Sequence, residues 1–196
     1  MDATRLQRVL ARIDELNGGD PVAEVVDGAS VPRELRYSRR LSDWVLRLDP
    51  RASEPLRIAA RGQHVRRWTI PRETYPMTRA GYLRWRETLK TFHMQTVASV
   101  MRDAGYDDAT IERVRAIMSK RRLGADADSQ TLEDALCLLF LEAQLADLRR
   151  KTPDDTMREV IRKTWRKMSP CAQTLATELP LEAGQRQFLL ESLAAP

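Results

Sequence analysis

Only two histidines occur in the 196 residues of this chain, His64 and His93, so any imidazole chemistry runs through one or both of them. His93 lies four residues after Leu89, four before Val97 and seven before Val100, which on a helix puts its ring on the apolar stripe. Arg86, seven residues earlier, shares that face. His64 stands four after Ala60 and four before Trp68, again toward small and aromatic residues. A third polar intrusion is Glu133-Asp134, in the first turn of the helix expected over the most apolar stretch of the chain. Groups aimed into a core in this way must find polar partners, because burying them unpaired is costly.

Two inward imidazoles and one or two carboxylates from three helices make an N2O1 or N2O2 donor set suited to Mn²⁺, Fe²⁺, Co²⁺ or Zn²⁺. His64, His93 and Asp134 are the expected ligands. Glu133 is a further ligand or the base for a metal-bound water, so Glu133 and Asp134 form the expected catalytic pair. Around His64 runs GQHVRRWTIPRETYP, and arginines hold phosphate oxygens well. Arg66, Arg67, Arg72 and Arg86, with Gln63 and Lys120, are the expected substrate contacts. Each feature also has a plain structural reading. A lone inward histidine can be a satisfied core residue, and the arginines can form a solvated loop. Glu133 and Asp134 can complement a helix dipole, and Thr131-Leu132-Glu133-Asp134 has the pattern of a capping box. Trp68, Tyr75, Tyr82 and Trp85 read as packing residues.

Helices must position these groups, since helical periodicity runs through the chain and strand alternation is nearly absent. Leu6, Val9, Leu10, Ile13 and Leu16 form a first stripe that stops at Asn17-Gly18-Gly19. A loop with a short extended piece follows. A second helix begins near residues 33 to 35 and stops before Asp49-Pro50, and a third runs from Glu54 to about Arg67. Pro71, Pro76 and Thr78-Arg79-Ala80-Gly81 make an irregular connection. Helices are then expected over 82–104, 108–120, 131–148 and 154–168, with a terminal pair from Ser169-Pro170 to near Ala195. The fold class is all-α, a single-domain multi-helix bundle.

The bulk properties agree with a chain that buries one core. Hydrophobic residues make up 42% and charged residues 31%, with a net charge of +5 whose signs are mixed along the chain. That balance is a mild pointer to an anionic partner. No stretch approaches a membrane span, MDATRLQRVLARIDELNGGD is too polar for a signal peptide, and Cys137 and Cys171 have no metal-type spacing. The expected setting is cytoplasmic, with reduced thiols and no membrane partner. A second copy of the chain stays open as a partner.

The strings LRIAARGQHVRRWTIPRETYPMTRAGYLRWRETLKTFH, AGYDDATIERVRAIMSK, QTLEDALCLLFLE and IRKTWRKMSP resemble a bacterial and fungal family catalogued only as a domain of unknown function, family 4202. The resemblance covers residues 35 to about 175 and carries no activity with it. More distantly, the chain is similar to the HD superfamily of metal-dependent phosphohydrolases, helical proteins named for a His-Asp doublet. That similarity implies an HD-like core over residues 30–175 of a single domain spanning 1–196, with 1–20 as an N-terminal helix and 170–196 as a C-terminal appendage. It also implies a metal ligand at each of His93 and Asp134. The pattern departs at Gln63-His64, where the doublet belongs, and at Tyr37-Ser38-Arg39-Arg40 and Lys120-Arg121, which carry none of the family's further histidines.

Three readings follow. The chain is a metal-dependent phosphohydrolase-like enzyme acting on a small phosphorylated compound or nucleotide, with the divalent ion as cofactor. Alternatively it is a degenerate HD-like module that binds such a ligand without turnover. The third reading is a basic helical protein that binds nucleic acid through residues 66–86 and the face carrying Arg158, Arg162, Lys163, Arg166 and Lys167.

Overall fold

A computed structural model of the chain describes residues 4–120 and 123–194. Arg121, Arg122 and the expected end of the last helix near Ala195 lie outside them. The described residues are predominantly helical. Side-chain caps explain most helix starts: Thr4 and Gln7 form a reciprocal capping box ahead of α1 (Arg5–Gly18). Ser53 caps α3 (Glu54–Gly62), Thr78 caps α4 (Arg79–Asp103), and Asp107 caps α5 (Asp108–Ser119). Between α1 and α2 (Arg33–Leu48) the extended piece is a hairpin of β1 (Ala23–Val26) and β2 (Ala29–Pro32), antiparallel with Val26 opposite Ala29. Asp27 and Gly28 both have positive φ, as a tight two-residue hairpin turn requires. Asp20 fixes the entry to α2, accepting from Val22 N and Glu34 N.

Several boundaries differ from the sequence reading: α4 already begins at Arg79, inside the connection expected to be irregular, because Thr78 caps it there. The third helix stops at Gly62 rather than near Arg67, because α4 crosses it so closely that a Cβ on Gly62 would lie 2.3 Å from Val97 Cγ2. The chain turns there, Arg66 adopts a left-handed φ of 52°, and short 3-10 turns follow at Arg67–Thr69 and Arg72–Thr74. The sixth helix, α6 (Ala127–Ala143), starts before Thr131, because Asp126 caps it by accepting from Ser129 N. Thr131 is thus inside the helix, and the expected capping box there is not formed. Instead of one helix to residue 148, a break at Gln144 separates α6 from α7 (Leu145–Arg149). The chain ends with α8 (Asp154–Trp165), α9 (Pro170–Glu178) and α10 (Ala183–Ala194).

Helices pack on both sequence neighbours and distant partners: α2 lies on α3 and α4 on α5, while α3 lies on α5, α2 on α6 and α10 on α8. The apolar core runs from Leu6 and Ile13 through Leu41, Leu56, Met101, Ile117 and Leu138 to Phe188 and Leu189. α6 is its centre, with Leu132, Ala135, Leu138, Leu139 and Leu141 all fully buried, as its unbroken apolar run requires. No described helix is long and apolar enough to cross a membrane.

Candidate functional site

The end of α3, the middle of α4 and the end of α5 enclose a cavity of about 390 Å³. Gln63, His64, Arg67, Arg86, His93 and Lys120, six of the expected site residues, line it together. The close approach of Gly62 to Val97 brings the α3 end against α4, so the rings of His64 and His93 stand 5.9 Å apart between centroids. Lys120 reaches the cavity from the left-handed residue that ends α5, where φ is 54°.

His93 is 4% exposed, and its Nδ1 lies 2.9 Å from Val65 O. A carbonyl oxygen only accepts, so Nδ1 carries the hydrogen and Nε2 of the neutral ring is a bare lone pair. Burial lowers the pKa of this ring to about 4, although the Val65 hydrogen bond works in the opposite direction. His64 is half-buried. Its ring stacks on Tyr37 with centroids 4.4 Å apart and planes 10° from parallel, and its Nδ1 is 3.7 Å from Glu34 Oε2. Enclosure, and then the charges of Arg67, His93, Lys120 and Arg86, hold His64 well below the ordinary imidazole range. Arg67, Arg86, Lys90 and Lys120 against the lining carboxylate of Glu87 make the cavity a cationic environment. Among the described residues neither Arg67 nor Arg86 is in a salt bridge; their guanidinium groups lie over the rings of Trp85 and Tyr82.

The remaining expected residues are turned to structural partners. Arg66 contributes its backbone N–H to Asn17 Oδ1 and does not line the cavity. Arg72 donates to the carbonyls of Tyr75, Pro76 and Thr78, fixing the connection into α4. Glu133 accepts from Lys120 and pairs with Lys167, and although burial opposes it, those two cations hold its carboxyl below the usual range. Asp134 accepts from Gln130 Nε2 and Ser169 N at 2.9 and 2.8 Å, which ties α6 to the start of α9. It serves as a clamp between helices in that position. Among the described residues no three His, Cys, Asp or Glu side chains are grouped so as to hold a metal ion. The bare Nε2 of His93 is a competent donor, but the expected set of His64, His93 and Asp134 does not fit a metal held by protein ligands.

Glu34 and Tyr37 were not among the expected site residues. Glu34 is 5% exposed, and burial raises its carboxyl to about 7 despite the nearby charges of Arg67 and Arg33. The signal was present in the spacing: Glu34 stands three before Tyr37 and seven before Leu41 on the buried face of α2. A second cavity of about 410 Å³ lies on this side, lined by Arg36, Arg40, Glu34 and Tyr37, and His64 and Arg67 line both cavities. Most cations of the basic face on and just beyond α8 have acidic or carbonyl partners. Arg158 pairs with Glu191, Arg162 with Glu159 and Ser192 O, Lys163 with Glu159, and Lys167 with Glu133.

Fold and site together define a helical protein with a cationic, imidazole-lined cavity at the meeting of three helices. The chain belongs to the family described as Domain of unknown function (DUF4202), whose model matches residues 7–189. No curated protein and no solved structure matches it.

Proposed function

We propose that the chain binds a small phosphorylated compound in the cavity between α3, α4 and α5, with Arg67, Arg86 and Lys120 receiving the phosphate. The observation that carries this reading is the pair of guanidinium groups, Arg67 and Arg86, that line one cavity and are in no salt bridge among the described residues. Burial lowers the pKa of Arg67, which marks a guanidinium kept in an enclosed place, where a charge-assisted bond to phosphate is strongest. The phosphohydrolase reading and the HD-like relationship are narrower forms of the same proposal. They draw support from the position of Gln63-His64 at the end of one helix and His93 on another. The donor set favours the binding role without a protein-held metal, in a cytoplasmic protein.

Calorimetric titration of the full chain with inorganic phosphate, in excess chelator, tests the proposal. Phosphate should bind, and Arg67→Ala should weaken it by about 10-fold or more, the loss of one charge-assisted hydrogen bond of roughly 1.5–3 kcal/mol. Absence of phosphate binding, or binding that Arg67→Ala leaves unchanged, would overturn it. If binding required Mn²⁺ or Zn²⁺, the metal-dependent reading would replace it.

A further inference from the structure

The charges of the cavity account for an anion, but two buried polar atoms on residues that line it ask for something else. Nε2 of His93 and Oε1 of Gln63 are buried and have no hydrogen-bond partner among the described residues, and both residues line the cavity. Both atoms are acceptors. The Val65 carbonyl fixes the hydrogen of His93 on Nδ1, and an amide oxygen has no hydrogen to give. Buried acceptors are satisfied in folded proteins almost without exception, so an orphaned pair on one cavity marks the place of an absent donor. The neighbouring cations do not fill that role: Lys120 is bonded to Glu133, and Arg67 and Arg86 lie over aromatic rings.

We propose that the phosphorylated ligand is a polyol phosphate of the sugar-phosphate class, whose hydroxyl groups donate to His93 Nε2 and Gln63 Oε1 while its phosphate meets Arg67, Arg86 and Lys120. This rests on the anion-binding reading above and narrows it. As the dianion that the surrounding cations favour, inorganic phosphate keeps a single P–O–H and meets one of the two acceptors at most. A cavity of about 390 Å³ also has room for a carbon skeleton beside the phosphate. The neutral state of His93 at ordinary pH agrees with this role, since a protonated ring would present a donor to the ligand instead.

Glycerol 3-phosphate and n-propyl phosphate have the same skeleton and the same phosphate, and differ in two hydroxyl groups. Titrated calorimetrically into the full chain in excess chelator, glycerol 3-phosphate should bind about 10-fold more tightly or better, the expected gain from satisfying buried acceptors. That preference should shrink toward unity in His93→Phe. Because His93→Phe also removes the bond to Val65 O, Gln63→Met provides a second variant that keeps the side-chain length and the fold, and it should reduce the same preference severalfold. Equal affinity of the two compounds for the wild-type chain overturns the inference and leaves anion binding standing. Loss of binding to both overturns the anion-binding reading itself. Binding of Zn²⁺ or Mn²⁺ by the chelator-free chain that disappears in His93→Phe also overturns the inference, because the lone pair then belongs to a metal.

Discussion

His64 and Glu34 share one wall between two cavities, and their environments push their proton equilibria in opposite directions from one another's ordinary order. The imidazole is held neutral, while the carboxyl rises from an ordinary 4.5 to about 7. The consequence for stability has a definite sign. Below about pH 4.5 Glu34 is protonated whether the chain is folded or unfolded, and the group contributes no pH dependence. Between about 4.5 and 7 the unfolded chain releases this proton and the folded chain keeps it, so the folded state loses relative stability as pH rises. The full loss is on the order of 3 kcal/mol, reached above the folded pKa. His93 acts oppositely: its ordinary 6.5 falls to about 4, so it costs stability as pH falls through that interval. The two slopes overlap in the wild type, and a variant separates them. Glu34→Gln should gain stability relative to wild type from pH 5 to about pH 7 and level off above it, read from melting temperatures of both proteins from pH 5 to pH 8. A difference that stays constant with pH would show that Glu34 titrates as an ordinary carboxyl.

Elements place these residues through one close contact. Gly62 lets the end of α3 reach α4, and a methyl group there would meet Val97. Gly62→Ala should therefore cost about 1–3 kcal/mol by overpacking. Val97→Ala makes room, so the double variant should be more stable than the sum of the single losses implies, as measured by urea unfolding. Strictly additive losses would mean that the contact does not set the crossing. Helical periodicity made the helices and the inward face of α4 legible, because Leu89, His93, Val97 and Val100 repeat at helical spacing and all are buried. It did not reveal where α3 stops. That depends on a crossing helix more than thirty residues later, and a single glycine in an apolar run does not announce its neighbour. The sequence likewise placed Asp134 inside, 4% exposed, but not the partner it meets there. Ser169 is 35 residues away, and only the packing of α9 on α6 brings its N–H to the carboxylate. Glu34 was legible in its spacing, yet a carboxylate in the first turn of a helix reads as a dipole partner until its burial is known.

At the scale of the whole molecule, the charge of +5 is unevenly available. Arg158, Arg162 and Lys163 on α8 pair with Glu191 and Glu159, and Lys167 just beyond it with Glu133, whereas Arg67 and Arg86 line the cavity without a salt bridge among the described residues. Such bonds tie the C-terminal helices to one another, and Lys167–Glu133 and Ser169 N–Asp134 tie them to α6. Arg158 joins α8 to Glu191 on α10, Arg162 donates to Ser192 O, and Arg186 donates to carbonyls at the end of α9. Phe188 anchors this end of the core. It is 2% exposed, and the guanidinium groups of Arg149 and Arg158 lie 3.8 and 4.6 Å from its ring centre. One apolar cluster joins Phe188 and Leu189 with Leu6, Val9 and Ile13 of the first helix, so residues 170–194 should unfold with the remainder rather than as an appendage. Phe188→Ala removes the ring and both cation contacts, and should destabilise the chain by about 3–5 kcal/mol, lowering its midpoint by roughly 10 °C. In a calorimetric scan wild type and variant should each show one transition, with the whole peak displaced in the variant. Two peaks, with only the lower one shifted by Phe188→Ala, would instead make the C-terminal helices a separate cooperative unit.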